Sequence, residues 1–240
     1  MELPTSKIKA SLTDPGKLII YSKPKTGKTS LLAELDNNLI LDLENGTDYY
    51  DALRVKITSV QELMDTIKAI IAAGRPYKYI TLDTLTKLED LALPYALTLY
   101  KQTPMGKGFT GANVLDLPNG AGYKYLRDAM TNLLNAIYKC ADRVILLGHL
   151  KTTNIEKNGK EVSARELDLT GKIKSMVSAD VDAIGLLYRG EDNKNILSFK
   201  TTDDVICGAR PPHLKDQEII ISELVDGKFI THWDLIYNQK

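Results

Sequence analysis

Eight residues, Ser22-Lys23-Pro24-Lys25-Thr26-Gly27-Lys28-Thr29, constrain this chain more than any other stretch. An apolar run, Lys17-Leu18-Ile19-Ile20-Tyr21, precedes them, and Ser30-Leu31-Leu32-Ala33-Glu34-Leu35 follows. The pattern predicts strand, tight loop and helix, the setting that a phosphate-binding P-loop needs. Main-chain N–H groups of such a loop converge on phosphate oxygens at the positive end of the following helix. Residues Ser22 to Ser30 are therefore the candidate nucleotide-binding residues, with Lys28 reaching the outer phosphates and Thr29 holding Mg²⁺. One position departs from the pattern. Five residues before Gly27 stands Ser22 rather than glycine. Serine tolerates the positive φ of a tight turn less well, which bears on how tightly the phosphates are gripped. A Lys-rich surface turn also matches Gly-Lys-Thr by chance, and the flanking strand and helix argue against that reading.

At 240 residues the chain is expected to form one α/β domain over 1–240. Thirty-one basic and 31 acidic residues cancel, so the molecule is not a polycation and any nucleic-acid contact must use a local patch. Cys140 and Cys207 lack metal-ligand spacing and fit the thiols of a reduced, cytoplasmic protein. The N-terminus has no signal-peptide apolar region, and no run approaches membrane-spanning length.

Residues 1–16 read as a polar arm. After Asn37-Asn38, Leu39 to Glu44 reads as a short strand ending in carboxylates, with a further short strand near Arg54 to Ile57. Ser59-Val60-Gln61-Glu62 is a capping box, and Val60, Leu63, Met64, Ile67, Ile70 and Ile71 repeat at helical spacing behind it. Tyr77 to Leu82 is the next buried strand, closed by Asp83. That is where a carboxylate belongs if it is to hold the Mg²⁺ bound by Thr29, although Asp83 also suits a helix cap. Leu85 to Tyr100 reads as a helix disturbed at Pro94. A stretch rich in Gly and Pro, 101–122, separates it from an amphipathic helix over Tyr123 to Tyr138. The strand Arg143 to Leu150 follows, and then a polar stretch, 151–171, with a turn at Asn158-Gly159. From Ile173 the pattern turns strand-rich, and these late strands read as antiparallel additions to a parallel core.

Glu44, Asp83 and His149 all fall near strand ends, where the ligand crevice of an open α/β sheet lies. The segments Leu41-Asp42-Leu43-Glu44-Asn45-Gly46-Thr47-Asp48, Ile80-Thr81-Leu82-Asp83-Thr84 and Leu146-Leu147-Gly148-His149-Leu150-Lys151 resemble the RecA/RadA recombinase core. The likeness is strongest to the short RecA-like single-strand-annealing ATPases of bacteriophages, and it covers roughly residues 15–210 in element order. It implies a RecA-like core with a mainly parallel central sheet, flanking helices and antiparallel strands at the C-terminal end. It implies a DNA-stimulated, Mg²⁺-dependent ATPase that promotes annealing or strand pairing in phage recombination, in the host cytoplasm if phage-encoded. By the same likeness Glu44 polarises the attacking water, Lys28 and His149 act on the γ-phosphate, and Asp48 lies near the adenine. Where RecA has glutamine this chain has His149, which bears on the coupling of ATP to DNA.

The resemblance also places two DNA-binding loops at 101–122 and 151–171, with Lys107, Phe109, Lys151, Lys157 and Lys160 as contacts for single-stranded DNA. Lys172, Lys200 and Arg210 are the cations that would reach a neighbour's nucleotide. Self-association into a ring or filament follows, with a single-stranded-DNA-binding protein as a further partner and no membrane. Two other classes stand beside this one. A small-molecule P-loop kinase needs a lid of phosphate-facing arginines, and Arg165 is the only arginine in 151–171. A nucleotide-binding interaction module would not turn ATP over.

Overall fold

The computed structural model describes residues 3–157, 160–202 and 204–238, without the side chains of residues 155–162. In chain order the elements begin β1 (Lys17–Ser22), α1 (Lys28–Ala33), β2 (Asn38–Asp42), β3 (Leu53–Lys56), α2 (Val60–Ala72) and β4 (Tyr79–Asp83). Helices α3 (Leu85–Lys101) and α4 (Gly122–Ile137) precede the hairpin of β5 (Arg143–Lys157) and β6 (Lys160–Leu167). Then come α5 (Gly171–Asp180), β7 (Ala183–Arg189), β8 (Asn195–Ser198), β9 (Gly208–Ala209), β10 (Glu218–Val225) and β11 (Lys228–Thr231).

The sheet runs β11-β10-β8-β7-β1-β5-β4-β2-β3, with β6 on β5 and β9 on β7. Strands β3, β2, β4, β5, β1 and β7 are parallel, and β8, β10 and β11 continue antiparallel. The expected fold class holds. Two expectations are corrected. The strand read from Val181 is not an antiparallel addition, because it lies parallel to β1. The helix α5 precedes it inside a stretch read as strand-rich, since it buries only Ile173 and Val177 and so shows little periodicity.

The two faces of the sheet differ in how they are covered. Alternation along β1 sends Ile19 and Tyr21 to one core and Leu18 and Ile20 to the other. The first core is roofed by α2, α3, α4 and α5, through residues such as Leu63, Leu88, Leu133 and Ile173. The second is covered by α1 through Leu31 and Leu32, and α1 has only six residues. The C-terminal segment fills the rest of that layer with Leu214, Trp233, Ile236 and Tyr237. Trp233 Nε1 donates to Leu31 O at 3.1 Å, and its ring stacks with Tyr237 at 6.2 Å between centroids.

Local signals explain most boundaries. Ser59 Oγ accepts from Glu62 N at 3.2 Å, so the cap forms, while the Glu62 carboxylate takes its return bond one residue early, from Thr58 N at 2.7 Å. Pro94 lies inside α3, where the expected disturbance does not end the helix. No described helix is long and apolar enough to cross a membrane.

Trp233→Ala removes a 5 %-exposed ring together with its bond to α1. Urea unfolding should show a loss of about 3–5 kcal/mol. A loss under about 1 kcal/mol would mean that the C-terminal segment does not support the P-loop layer.

Candidate functional site

The parallel strands deliver their C-terminal ends to one rim. There Ser22 pairs in register with His149, and Asp42 with Asp83. The P-loop leaves β1 and takes left-handed backbone at Lys25, φ 61°, and Gly27, φ 103°. Glycine is needed at the second of these, and a Cβ there would also crowd Ser30 Oγ at 3.3 Å. Ser22 does not take positive φ; it ends β1 as buried strand. Its replacement of glycine therefore carries no backbone strain, contrary to the sequence expectation. Ser22 Oγ instead accepts from Lys28 Nζ at 3.1 Å and donates to Lys23 O at 2.9 Å. Burial pulls the Lys28 ammonium down, against the opposing charges of Asp83 and Glu44.

Thr29 Oγ1 donates to Asp83 Oδ2 at 2.9 Å. Asp83 is not the helix cap; Thr84 holds that position at the start of α3. Burial pushes the Asp83 carboxyl up to about 6; the Thr29 hydrogen bond opposes that shift, and the charges of Glu44 and Asp42 add to it. A buried carboxylate beside a hydroxyl is a hard-oxygen pair. That matches Mg²⁺, which takes one or two carboxylates and completes its shell with water and phosphate.

Asp42 organises the turn that presents Glu44, a role the sequence reading missed. Its carboxylate accepts from the backbone N–H groups of Glu44, Gly46 and Thr47 at 3.0, 3.3 and 3.1 Å, and from Thr47 Oγ1 at 2.5 Å. Burial would raise its pKa, but these bonds outweigh it and hold Asp42 low. Glu44 Oε1 then meets His149 Nε2 at 2.7 Å and accepts from Thr84 Oγ1 at 2.8 Å. Burial again acts upward, and these two bonds with the charges of His149 and Lys28 keep Glu44 below its ordinary value.

A cleft of about 380 Å³ is lined by Pro24, Lys25, Gly27, Lys28, Thr29, Glu44, Gly46, Tyr50, Asp83 and His149. The expected triad of Glu44, Asp83 and His149 is thus brought together over the P-loop. Lys23 and Thr26 line a separate cleft, and Ser30 Oγ donates back to Gly27 O at 2.9 Å. Asp48 is not in the nucleotide cleft; it pairs with Lys56 at 2.6 Å and Arg54 at 3.5 Å. Tyr50, which the sequence reading passed over, is the aromatic residue of this cleft.

The more distant candidates fare unevenly. Within 151–171 the described residues 151–157 continue β5 and 160–167 form β6, and β5 runs unbroken through His149. The turn read at Asn158-Gly159 lies outside the described residues, as do the side chains of Lys157 and Lys160. Lys151 pairs with Asp168 at 3.7 Å. In 101–122, Lys107 is exposed, but Phe109 packs edge-on against Tyr100 at 5.4 Å and is no free stacking platform. Val114 and Leu117 of that loop are buried against the helices. Lys200 pairs with Glu218 at 2.5 Å and Arg210 with Asp182 at 3.1 Å, so both are engaged within their own chain. Lys172 is exposed.

Residues 14–210 match the family model described as AAA domain, and the chain belongs to that family. No curated protein matches it. Among solved structures it is similar to the RadB recombinase, at 11% identity and TM-score 0.49, covering 90% of this chain and 91% of that one. It is similar also to a KaiC-like protein from Pyrococcus horikoshii, at 12% identity and TM-score 0.47, covering 91% and 90%.

Because the folded pKa of Asp83 lies above its ordinary value, the fold favours the protonated form. Without ligand, stability falls as pH rises from about 4 through 6, and the loss is complete above that window. Asp83→Asn removes the charge. At about pH 8 it should stabilise the unliganded protein by up to about 3 kcal/mol, with the gain vanishing below about pH 4. Thermal denaturation across that range checks this, and equal stabilities at the alkaline end contradict it.

Proposed function

We propose that this AAA-domain chain is an ATP-hydrolysing protein with a RecA-like core that binds single-stranded DNA and promotes annealing or strand pairing. The observation that carries the reading is the contact between Glu44 and His149. It joins the carboxylate over the P-loop to the strand that extends, without a break, into the β5–β6 hairpin. A change at the nucleotide cleft that moves His149 therefore moves the hairpin base as well.

In this reading Lys28 and the loop amides between Lys25 and Thr29 hold the phosphates of ATP. Thr29 and Asp83 hold Mg²⁺, which when bound neutralises charge on the phosphate oxygens. Glu44 orients the attacking water. Its lowered pKa makes it a better acceptor and positioner than proton store, and phosphoryl transfer depends chiefly on positioning and electrostatics. Ser22 holds Lys28 in place until phosphate competes for the ammonium. DNA binding draws on the hairpin with Lys151, Lys157 and Lys160 and on Lys107. Ring or filament assembly, with Lys172 presented to a neighbour, is part of the same proposal.

Glu44→Gln should keep ATP binding and lower turnover by about 100-fold or more. His149→Ala should lower turnover less and remove its response to single-stranded DNA. If Glu44→Gln hydrolyses ATP like wild type, Glu44 is not the water-positioning residue. Filter binding of an oligo-dT strand with ATP, across salt, tests the DNA claim directly, and no retention at low salt refutes it.

A further inference from the structure

A second cleft lies on the other shoulder of the P-loop. It measures about 460 Å³ and is lined by Lys23, Pro24, Lys25 and Thr26 on one side. Leu150 and Arg165 of the hairpin base, and Leu186 to Arg189 at the end of β7, line the rest. Among the described residues, its lining holds Lys23, Lys25, Arg165 and Arg189 and no carboxylate. In a chain whose acids and bases balance, that is a local concentration of one sign. Arg165 is held at 3.7 Å by Asp204, which lies outside the lining, and Arg189 is exposed. The Tyr188 hydroxyl donates to Glu218 at 3.0 Å, which fixes its half-buried ring beside Leu150 and Leu186.

We propose that this cleft holds a segment of single-stranded DNA, with phosphates on Lys23, Lys25, Arg165 and Arg189 and a base against Tyr188. The inference rests on the reading of the chain as a single-strand-binding ATPase and assigns that strand a path. A cleft with cations on its rim and an aromatic and leucines on its wall suits a polyanion that also offers a flat apolar face. A duplex offers the phosphates but keeps its base faces stacked inside. A free inorganic polyphosphate offers charge and nothing for Tyr188. The volume fits a guest of small-ligand size, about 300–1,000 Å³, rather than a duplex. The position adds a consequence. Lys25 lines both this cleft and the nucleotide cleft, so a strand lying here touches the loop that grips ATP. DNA and nucleotide then communicate through the P-loop itself as well as through His149.

The test uses the full chain and leaves the P-loop untouched. Arg165→Ala/Arg189→Ala is titrated with an oligo-dT strand at several salt concentrations, beside wild type and Arg165→Lys/Arg189→Lys. The double alanine variant should bind at least about tenfold more weakly, with a salt slope shallower by about 1.4, as two lost phosphate contacts require. The lysine pair should restore most of the affinity. Tyr188→Leu should weaken oligo-dT binding without changing the salt slope. Nucleotide affinity should stay unchanged in all of them, which also reports that they are folded. If wild type binds oligo-dT and the double alanine variant binds it equally, with the same slope, the cleft is overturned and the broader function stands. If wild type binds no single strand, both fall. Equal binding of duplex by wild type, with the same sensitivity to the arginines, overturns the single-strand assignment.

Discussion

One ammonium group sets the terms for the rim of this sheet. Lys28 lies 7 % exposed at the mouth of the P-loop, where leaving a charge unpaired would be costly. Around it stand Ser22, Asp83 and Glu44, and behind them Asp42. The carboxylates outnumber the ammonium, and their environments pull them apart. Asp42 and Glu44 are held ionised by hydrogen bonds, whereas burial drives Asp83 towards its neutral form. The position left short of positive charge is the one beside Thr29. A divalent cation accompanied by phosphate corrects both defects at once, relieving Asp83 and giving Lys28 an anion.

The short α1 makes a second demand. Six residues carry a small macrodipole and cover little of the sheet, so the loop's grip depends on backbone geometry and on what supports the helix from below. That support comes from Trp233 at Leu31 O, and from Asn38 Nδ2 donating to Leu32 O at 2.9 Å. The match to the AAA domain family stops at residue 210, and Leu214, Trp233, Ile236 and Tyr237 all lie after it. The C-terminal segment is thus part of the nucleotide-binding layer and no mere appendage. Arg143 and Asp14, paired at 3.0 Å, tie the arm to the same side, where Asp14 Oδ1 also accepts from Asn238.

What could be read from the sequence follows from where burial imposes a pattern. The strands β1, β2, β4 and the first half of β5 are apolar on both faces because both faces are covered, and each was legible as a buried run. Gly27, Lys28, Thr29, Asp83, Glu44 and His149 were legible because the parallel topology places strand ends together. The hairpin was not legible as strand. Thr152, Thr153 and Asn154 have no core to face, so the pattern lacks an apolar period. Helix α5 failed for a related reason, having only Ile173 and Val177 to bury. Ser22 was misjudged because the motif rule attaches glycine to a φ that this strand end does not adopt. Asp42 was invisible because its work is done by accepting backbone N–H groups, which leaves no signature in residue spacing.

The hairpin is the element where these constraints meet. Gly148 lets it approach the sheet closely, since a Cβ there would lie 2.2 Å from Leu167 Cδ1. Leu167 is buried at the return of β6, and Asp168 N donates to His149 O at 2.9 Å, so both strands of the hairpin are anchored at one point. That point is next to Glu44. The hairpin is also tied sideways, because Arg165 N donates to Asp204 O at 2.6 Å, Ile206 N donates to Arg165 O at 3.3 Å, and Lys174 of α5 pairs with Glu166. His149, Arg165 and the segment from Asp204 to Ile206 therefore form one connected unit at the hairpin base, joined by backbone hydrogen bonds and not by side chains alone.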